Sequence, residues 1–136
     1  MIFGSWKNEG FFYRLLSGKE QKKLSRFIQD WLERVKQERG VHIFSRQGEY
    51  YMVIAAGMKP NPGYRLEIVG MKKEEDGTAG IWVREKTPNP GKMLPQVITY
   101  PYLIIQVKGD LPLVYDAETG VNFVKGNTTT MQEWKN

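Results

Sequence analysis

The sequence has no cysteine, one histidine and no long apolar run, and each shortage removes a class of function. Without cysteine there are no disulfides and no thiolate metal sites. With His42 as the sole histidine, paired-histidine metal centres and two-histidine acid–base schemes are impossible. His42 lies in Val41-His42-Ile43, alternating with apolar residues, and this predicts an outward-facing strand residue. No stretch approaches the ~20 apolar residues of a membrane-spanning helix. The opening run, Met1 to Lys7, has no basic segment followed by an apolar one, so no signal peptide is visible. There is no Gly-x-Ser-x-Gly elbow, no phosphate loop and no Gly-x-Gly-x-x-Gly fingerprint. No catalytic residue, metal site or cofactor is therefore expected. The carboxylates of Glu74-Glu75-Asp76 fall at an expected hairpin tip, where charge ordinarily serves solubility.

What remains is the composition of one globular domain. The chain has 136 residues, 40% hydrophobic and 12% aromatic, enough to bury a core without staples. Its net charge of +5 is uneven. Residues 1–39 carry nine Lys/Arg against five Asp/Glu, a net of +4, which leaves +1 for the other 97 residues. Lys22, Lys23, Arg26, Arg34, Lys36 and Arg39 thus offer one candidate footprint, for nucleic acid or an acidic surface. Acids interleave with them, which is also how a solvated helix face reads.

Apolar periodicity sets out the elements. Leu24, Phe27, Ile28, Trp31, Leu32 and Val35 recur at helical spacing, and Ser17 with Glu20 forms a capping-box pattern. One helix is predicted from about 18 to 39, ended by Gly40. Gly10–Leu16 precedes it as a short strand. After it the pattern is β: Val41–Ser45 and Glu49–Ala56, Tyr64–Lys72 and Thr78–Lys86, Val97–Val107, Leu111–Tyr115 and Val121–Lys125. The expected fold is α+β, an antiparallel sheet or partial barrel or sandwich of six to seven short strands packed against one long N-terminal helix. Residues 1–40 supply a strand and the helix, 41–125 the β region and 126–136 a polar tail that frays.

One word repeats. Pro60-Asn61-Pro62-Gly63 and Pro88-Asn89-Pro90-Gly91 are identical, and each should be a stiff turn. If Asp76-Gly77 is a two-residue hairpin loop, Val69 faces Arg84, Glu67 faces Lys86 and Gly63 faces Pro90. Leu66 and Ile68 then share a face with Ile81 and Val83, and the two loops leave the same end of the hairpin as neighbours. Adjacent rigid loops on a scaffold are a common way to present a binding site. Proline and glycine also end strands everywhere, and spacing does not choose between these readings.

The run Met52 to Ile68, a strand followed by Gly57-x-x-Pro60-x-x-Gly63-Tyr64 and a second strand, resembles the C-terminal domain of PrcB-type protease-complex subunits. Val83 to Gly91, followed by Gln96-Val97-Ile98-Thr99-Tyr100-Pro101-Tyr102, is similar to that domain's second signature. The matching blocks span about residues 50–107. The resemblance implies a non-enzymatic domain of bacterial, usually exported or lipid-anchored proteins, and an accessory role that stabilises a secreted protease. The chain departs from that pattern in its helical segment and in lacking a leader and a lipidation cysteine. Asn61-Pro62-Gly63-Tyr64 alone also resembles the proline-containing loop of chagasin-type protease inhibitors, without that motif's threonines or its companion loops.

The candidate contact surface is therefore protein-binding: Pro60, Asn61, Pro62, Gly63 and Tyr64, with Pro88, Asn89, Pro90, Gly91 and Lys92, flanked by Tyr100 and Tyr102. Packing would equally employ the two tyrosines. Replacing Asn61 and Asn89 is expected to leave stability nearly unchanged while weakening partner capture.

Overall fold

The computed structural model describes residues 5–8, 11–73, 76–123 and 128–132. Two short strands lead in, β1 (Ser5–Asn8) and β2 (Phe11–Leu15), followed by helices α1 (Gly18–Gln21) and α2 (Arg26–Val35). Then come β3 (Gly40–Arg46), β4 (Glu49–Ala55), β5 (Arg65–Lys73), β6 (Ala79–Lys86), β7 (Tyr102–Gly109), β8 (Leu113–Asp116) and β9 (Thr128–Gln132). They form two sheets, in the orders β1-β2-β7-β4-β3-β9 and β5-β6-β8.

The sheets pack face to face, and α2 covers the outer face of the larger one. Val41, Ile43, Met52, Ile54, Ile105 and Val107 of the larger sheet meet Leu66, Ile68, Ile81, Val83 and Val114 of the smaller in one core. On the opposite face, Phe44, Val53, Ala55 and Ile104 receive Ile28, Trp31 and Leu32 of α2 in a second core. The central strand β4 is buried on both faces, which is why Met52-Val53-Ile54-Ala55 reads as a continuous apolar run.

The single long helix is not what forms. Ser17 caps α1 with the expected box, its Oγ accepting from the Glu20 N–H while Glu20 accepts from the Ser17 N–H. The segment then breaks, and Ser25 provides a second N-cap, accepting from the Ile28 N–H at 3.4 Å. Gln29 reaches back to the Leu24 carbonyl at 2.7 Å and secures the junction. The apolar stripe holds within α2, although Phe27 at its margin is 53% exposed. Gly40 opens β3 with φ of 151° and does not cap the helix.

His42 is also not outward. It is 3% exposed on the α2-covered face of β3, with Nε2 2.9 Å from the Glu38 carbonyl. The sheets are not wholly antiparallel either: β9 runs parallel to β3, and β8 parallel to β6. A parallel neighbour needs a long crossover, and β8 arrives beside β6 only after the chain has traversed the other sheet as β7. Residues 128–132 of the expected frayed tail are thus strand β9. The expected strand from Val121 is reduced to a bridge between Asn122 and Tyr115, and its end at Lys125 lies outside the described residues, as do Glu74 and Glu75.

Gln47-Gly48 joins β3 and β4 with positive φ at both residues, 49° and 81°, the type I′ pattern. Between β5 and β6 the last paired residues are Lys73 and Ala79, so the loop is wider than Asp76-Gly77. There Asp76 accepts from both the N–H and the hydroxyl of Thr78, at 3.0 and 2.7 Å. A bulge between Ile68 and Gly70 adds a second shift. Glu67 therefore faces Arg84 and Arg65 faces Lys86. The two shifts together move Arg65 to Ile68 by two positions, so these keep their expected faces, whereas Gly70 to Lys73 move by one and turn over, which sets Met71 opposite Ile81 against the core.

Candidate functional site

The two Pro-Asn-Pro-Gly loops do meet. A Cβ built on Gly63 would stand 2.6 Å from the Pro88 Cβ and 2.6 Å from the Leu94 Cδ1, so the second loop closes directly over the first at the one residue with no side chain. The identical tetrapeptides nevertheless take different shapes. In the first, the Asn61 Oδ1 accepts from the Gly63 N–H at 2.9 Å, an Asx turn with Gly63 outside the positive-φ region. In the second, the Asn89 carbonyl accepts from the Lys92 N–H at 3.2 Å, with Pro90 and a positive-φ Gly91 (80°) at the centre, as a type II turn requires. Asn61 is therefore a structural tie, against the expectation that both asparagines are neutral to stability, whereas Asn89 is exposed at the tip.

The first loop is fastened at its base. Lys59 and Thr99 exchange both backbone hydrogen bonds at 2.9 Å, and the Thr99 hydroxyl donates to the Asn61 carbonyl at 3.0 Å. The Lys59 Nζ lies 2.6 Å from Glu85 at the end of β6, and 5.3 Å from the centre of the Tyr64 ring. Arg39 approaches the other oxygen of Glu85 at 3.1 Å and also donates to the Ala56 carbonyl at 3.2 Å. One carboxylate thus links the base of the first loop, the strand leading to the second and the segment after α2. Burial opposes ionisation of Glu85, but Lys59 and Arg39 outweigh it and hold the carboxyl below the usual range.

Because the folded value is depressed, this contribution is present above the ordinary glutamate value of 4.5 and is lost as pH falls through the lower folded value. Replacement by Gln should flatten the acid limb of a stability–pH curve and cost about 0.5–1 kcal/mol at pH 7, the solvent-screened scale for partly exposed pairs. Urea unfolding from pH 2 to 7 checks it; an unchanged acid limb would remove Glu85 from this role.

The tips of the second loop are open: Pro90, Gly91, Lys92 and Met93 are exposed, Met93 almost completely. Between the loops and β6 lies a cleft of about 700 Å³ that includes Pro62, Arg65, Lys86, Asn89 and Lys92. On the other side of the first loop is a more apolar groove of about 400 Å³, lined by Pro62, Tyr64, Leu66, Tyr100 and Tyr102.

Tyr100 and Tyr102 differ in setting. Tyr100 is half-buried in the groove wall. The Tyr102 hydroxyl donates to the Gln21 Oε1 beneath α2, the Lys36 ammonium stands 5.9 Å from its ring centre, and burial pushes its phenol upward. Its side chain is therefore mainly a packing element.

Residues 50–108 match the family model described as PrcB C-terminal. The segment belongs to that family. The PrcB C-terminal segment comprises β4 to β7, and so holds both loops, Glu85, Thr99 and both tyrosines. Arg39, Gln21 and α2 come from outside it. No curated protein and no solved structure matches the chain. Sequence reasoning missed Leu94, Thr99 and the Lys59–Glu85–Arg39 linkage. No local pattern marks them, because each acts through a partner more than a dozen residues away. Among the described residues, no group of three His, Asp or Glu side chains is placed to hold a metal ion.

Proposed function

We propose that the chain is a non-enzymatic protein-interaction module, one folding unit that serves as an accessory domain of a protease complex and docks through its paired loops. The observation that carries this reading is the contact of Gly63 with Pro88 and Leu94: two loops are held against each other while Asn89 to Met93 stay exposed. A preordered surface loses little conformational freedom on binding, which favours docking without bond chemistry. The family match supports the protease association. The basic-helix reading draws less support, because Lys36 pairs with Glu33 and Arg39 with Glu85 within the fold.

Affinity purification of the tagged protein from its own cells tests the proposal. A protease should co-purify with the unaltered chain. Its recovery should fall several-fold with Asn89→Ala and Lys92→Ala combined, at an unchanged melting temperature. Equal recovery with both chains contradicts the loop assignment.

A further inference from the structure

Strand β7 is paired on both sides over most of its length, but one side opens at its start. β2 accompanies it from Gly109 back to Ile105, the Leu16 N–H reaches the Ile104 carbonyl at 3.0 Å, and the chain then departs into α1. On the β4 side the pairing continues: Ala56 donates to the Pro101 carbonyl, and Thr99 exchanges bonds with Lys59. Backbone groups of an extended chain alternate in direction. Thr99 and Pro101 point toward β4, so Tyr100 and Tyr102 point to the side that β2 has left, the side on which Ile104 accepts from Leu16. Among the described residues, their N–H and C=O groups have no backbone partner. Pro101, which lacks a donor, occupies an inward position and leaves the outward set of two donors and two acceptors intact.

This free edge lies beside two clefts, one apolar and one carrying charged side chains, both bordered by Tyr102. On the side of the smaller sheet is the groove of Pro62, Tyr64, Leu66 and Tyr100. On the helix side is a cleft of about 640 Å³ bordered by Lys22, Arg26, Asp30 and Glu33. Glu33 is held by Lys36 at 2.8 Å, while Lys22, Arg26 and Asp30 make no ion pair among the described residues, which leaves an excess of one positive charge. Side chains of an added strand alternate between faces. One set would enter the apolar groove and the other the charged cleft, where Lys22 and Arg26 outnumber the unpaired Asp30.

We infer that Tyr100–Tyr102 is a strand-addition site for an extended partner segment in which acidic and apolar residues alternate. Backbone pairing supplies the docking and the two clefts supply the selection. The inference rests on the reading of this face as protein-binding, and it names the chemistry of the partner.

The probe is a labelled, N-acetylated octapeptide of alternating Glu and Val, titrated against the full chain by fluorescence anisotropy at low salt. It should bind and slow amide exchange at Tyr100 and Tyr102. Methylating alternate amides of the peptide should weaken binding about ten-fold or more, since two backbone bonds are lost. Replacing Glu by Lys should weaken it at least as much. These changes lie in the peptide, so folding of the protein is not at issue. Absence of binding, equal affinity of the methylated peptide, or protection elsewhere would each overturn the inference. A dT12 oligonucleotide that alone protects the same amides would overturn it in favour of nucleic acid. Failure here, with loop-dependent protease recovery intact, removes only strand addition. Loss of loop dependence with peptide binding intact removes only the loop assignment.

Discussion

Gly63→Ala should destabilise the protein by about 2–3 kcal/mol, whereas Gly91→Ala, at the same place in an identical tetrapeptide, should cost only about 1 kcal/mol. The difference follows from where each Cβ would go. At position 63 it meets the Pro88 Cβ and the Leu94 Cδ1 at 2.6 Å and the Asn61 Oδ1 at 3.0 Å. The leucine tip can rotate away, but the proline ring cannot, so the second loop must lift from the first. At position 91 nothing lies within 4 Å, and the cost comes from φ of 80° alone. Urea unfolding of both variants gives the comparison. Equal costs would mean that the loops do not press on one another.

Phe44→Ala should have the largest effect, about 3–5 kcal/mol. Phe44 is fully buried on the α2-covered face of β3. Its ring meets Trp31 edge-on at 5.3 Å and 63°, and Phe27 at 5.6 Å and 70°, contacts that add to simple burial. Truncation leaves a cavity beneath a helix of only ten residues, too short to persist without its packed face. Phe27→Ala, at a half-exposed ring, should cost under about 2 kcal/mol. Thermal unfolding by circular dichroism separates the two. Similar losses would indicate that the second core is not centred on Phe44.

Both variants probe features that differ in how far the sequence revealed them. The neighbouring loops were legible because the period-two pattern of Leu66, Ile68, Ile81 and Val83 survives any even shift in register. The Val69 bulge and the widened Asp76 turn were not legible, since Asp-Gly is compatible with several loops and a bulge leaves no compositional mark. The helix was legible as a stripe but not as two pieces. Lys22, Lys23 and Leu24 are ordinary helix formers, and Ser25 acts as a cap only once Ile28 is drawn onto Phe44 and Val53. His42 was misjudged because alternation implies one wet face, and β3 has none while α2 covers it. The parallel placement of β8 and β9 depends on where the chain goes after leaving one sheet, and local pattern does not record that. Tyr102 illustrates the same limit: its side chain is spoken for by Gln21 and Lys36, while its backbone is left open by the departure of β2.

The central claim is that this protein acts by presenting the face built from its paired loops. Site-specific photo-crosslinking in its own cells tests that claim most directly, with the photoreactive residue placed in turn at Asn89, Met93 and Lys72, which is exposed at the opposite end of the β5–β6 hairpin. Adducts carrying a protease should arise from Asn89 and Met93 and be absent from Lys72. Adducts mainly from Lys72, or none from the loop positions, would contradict it.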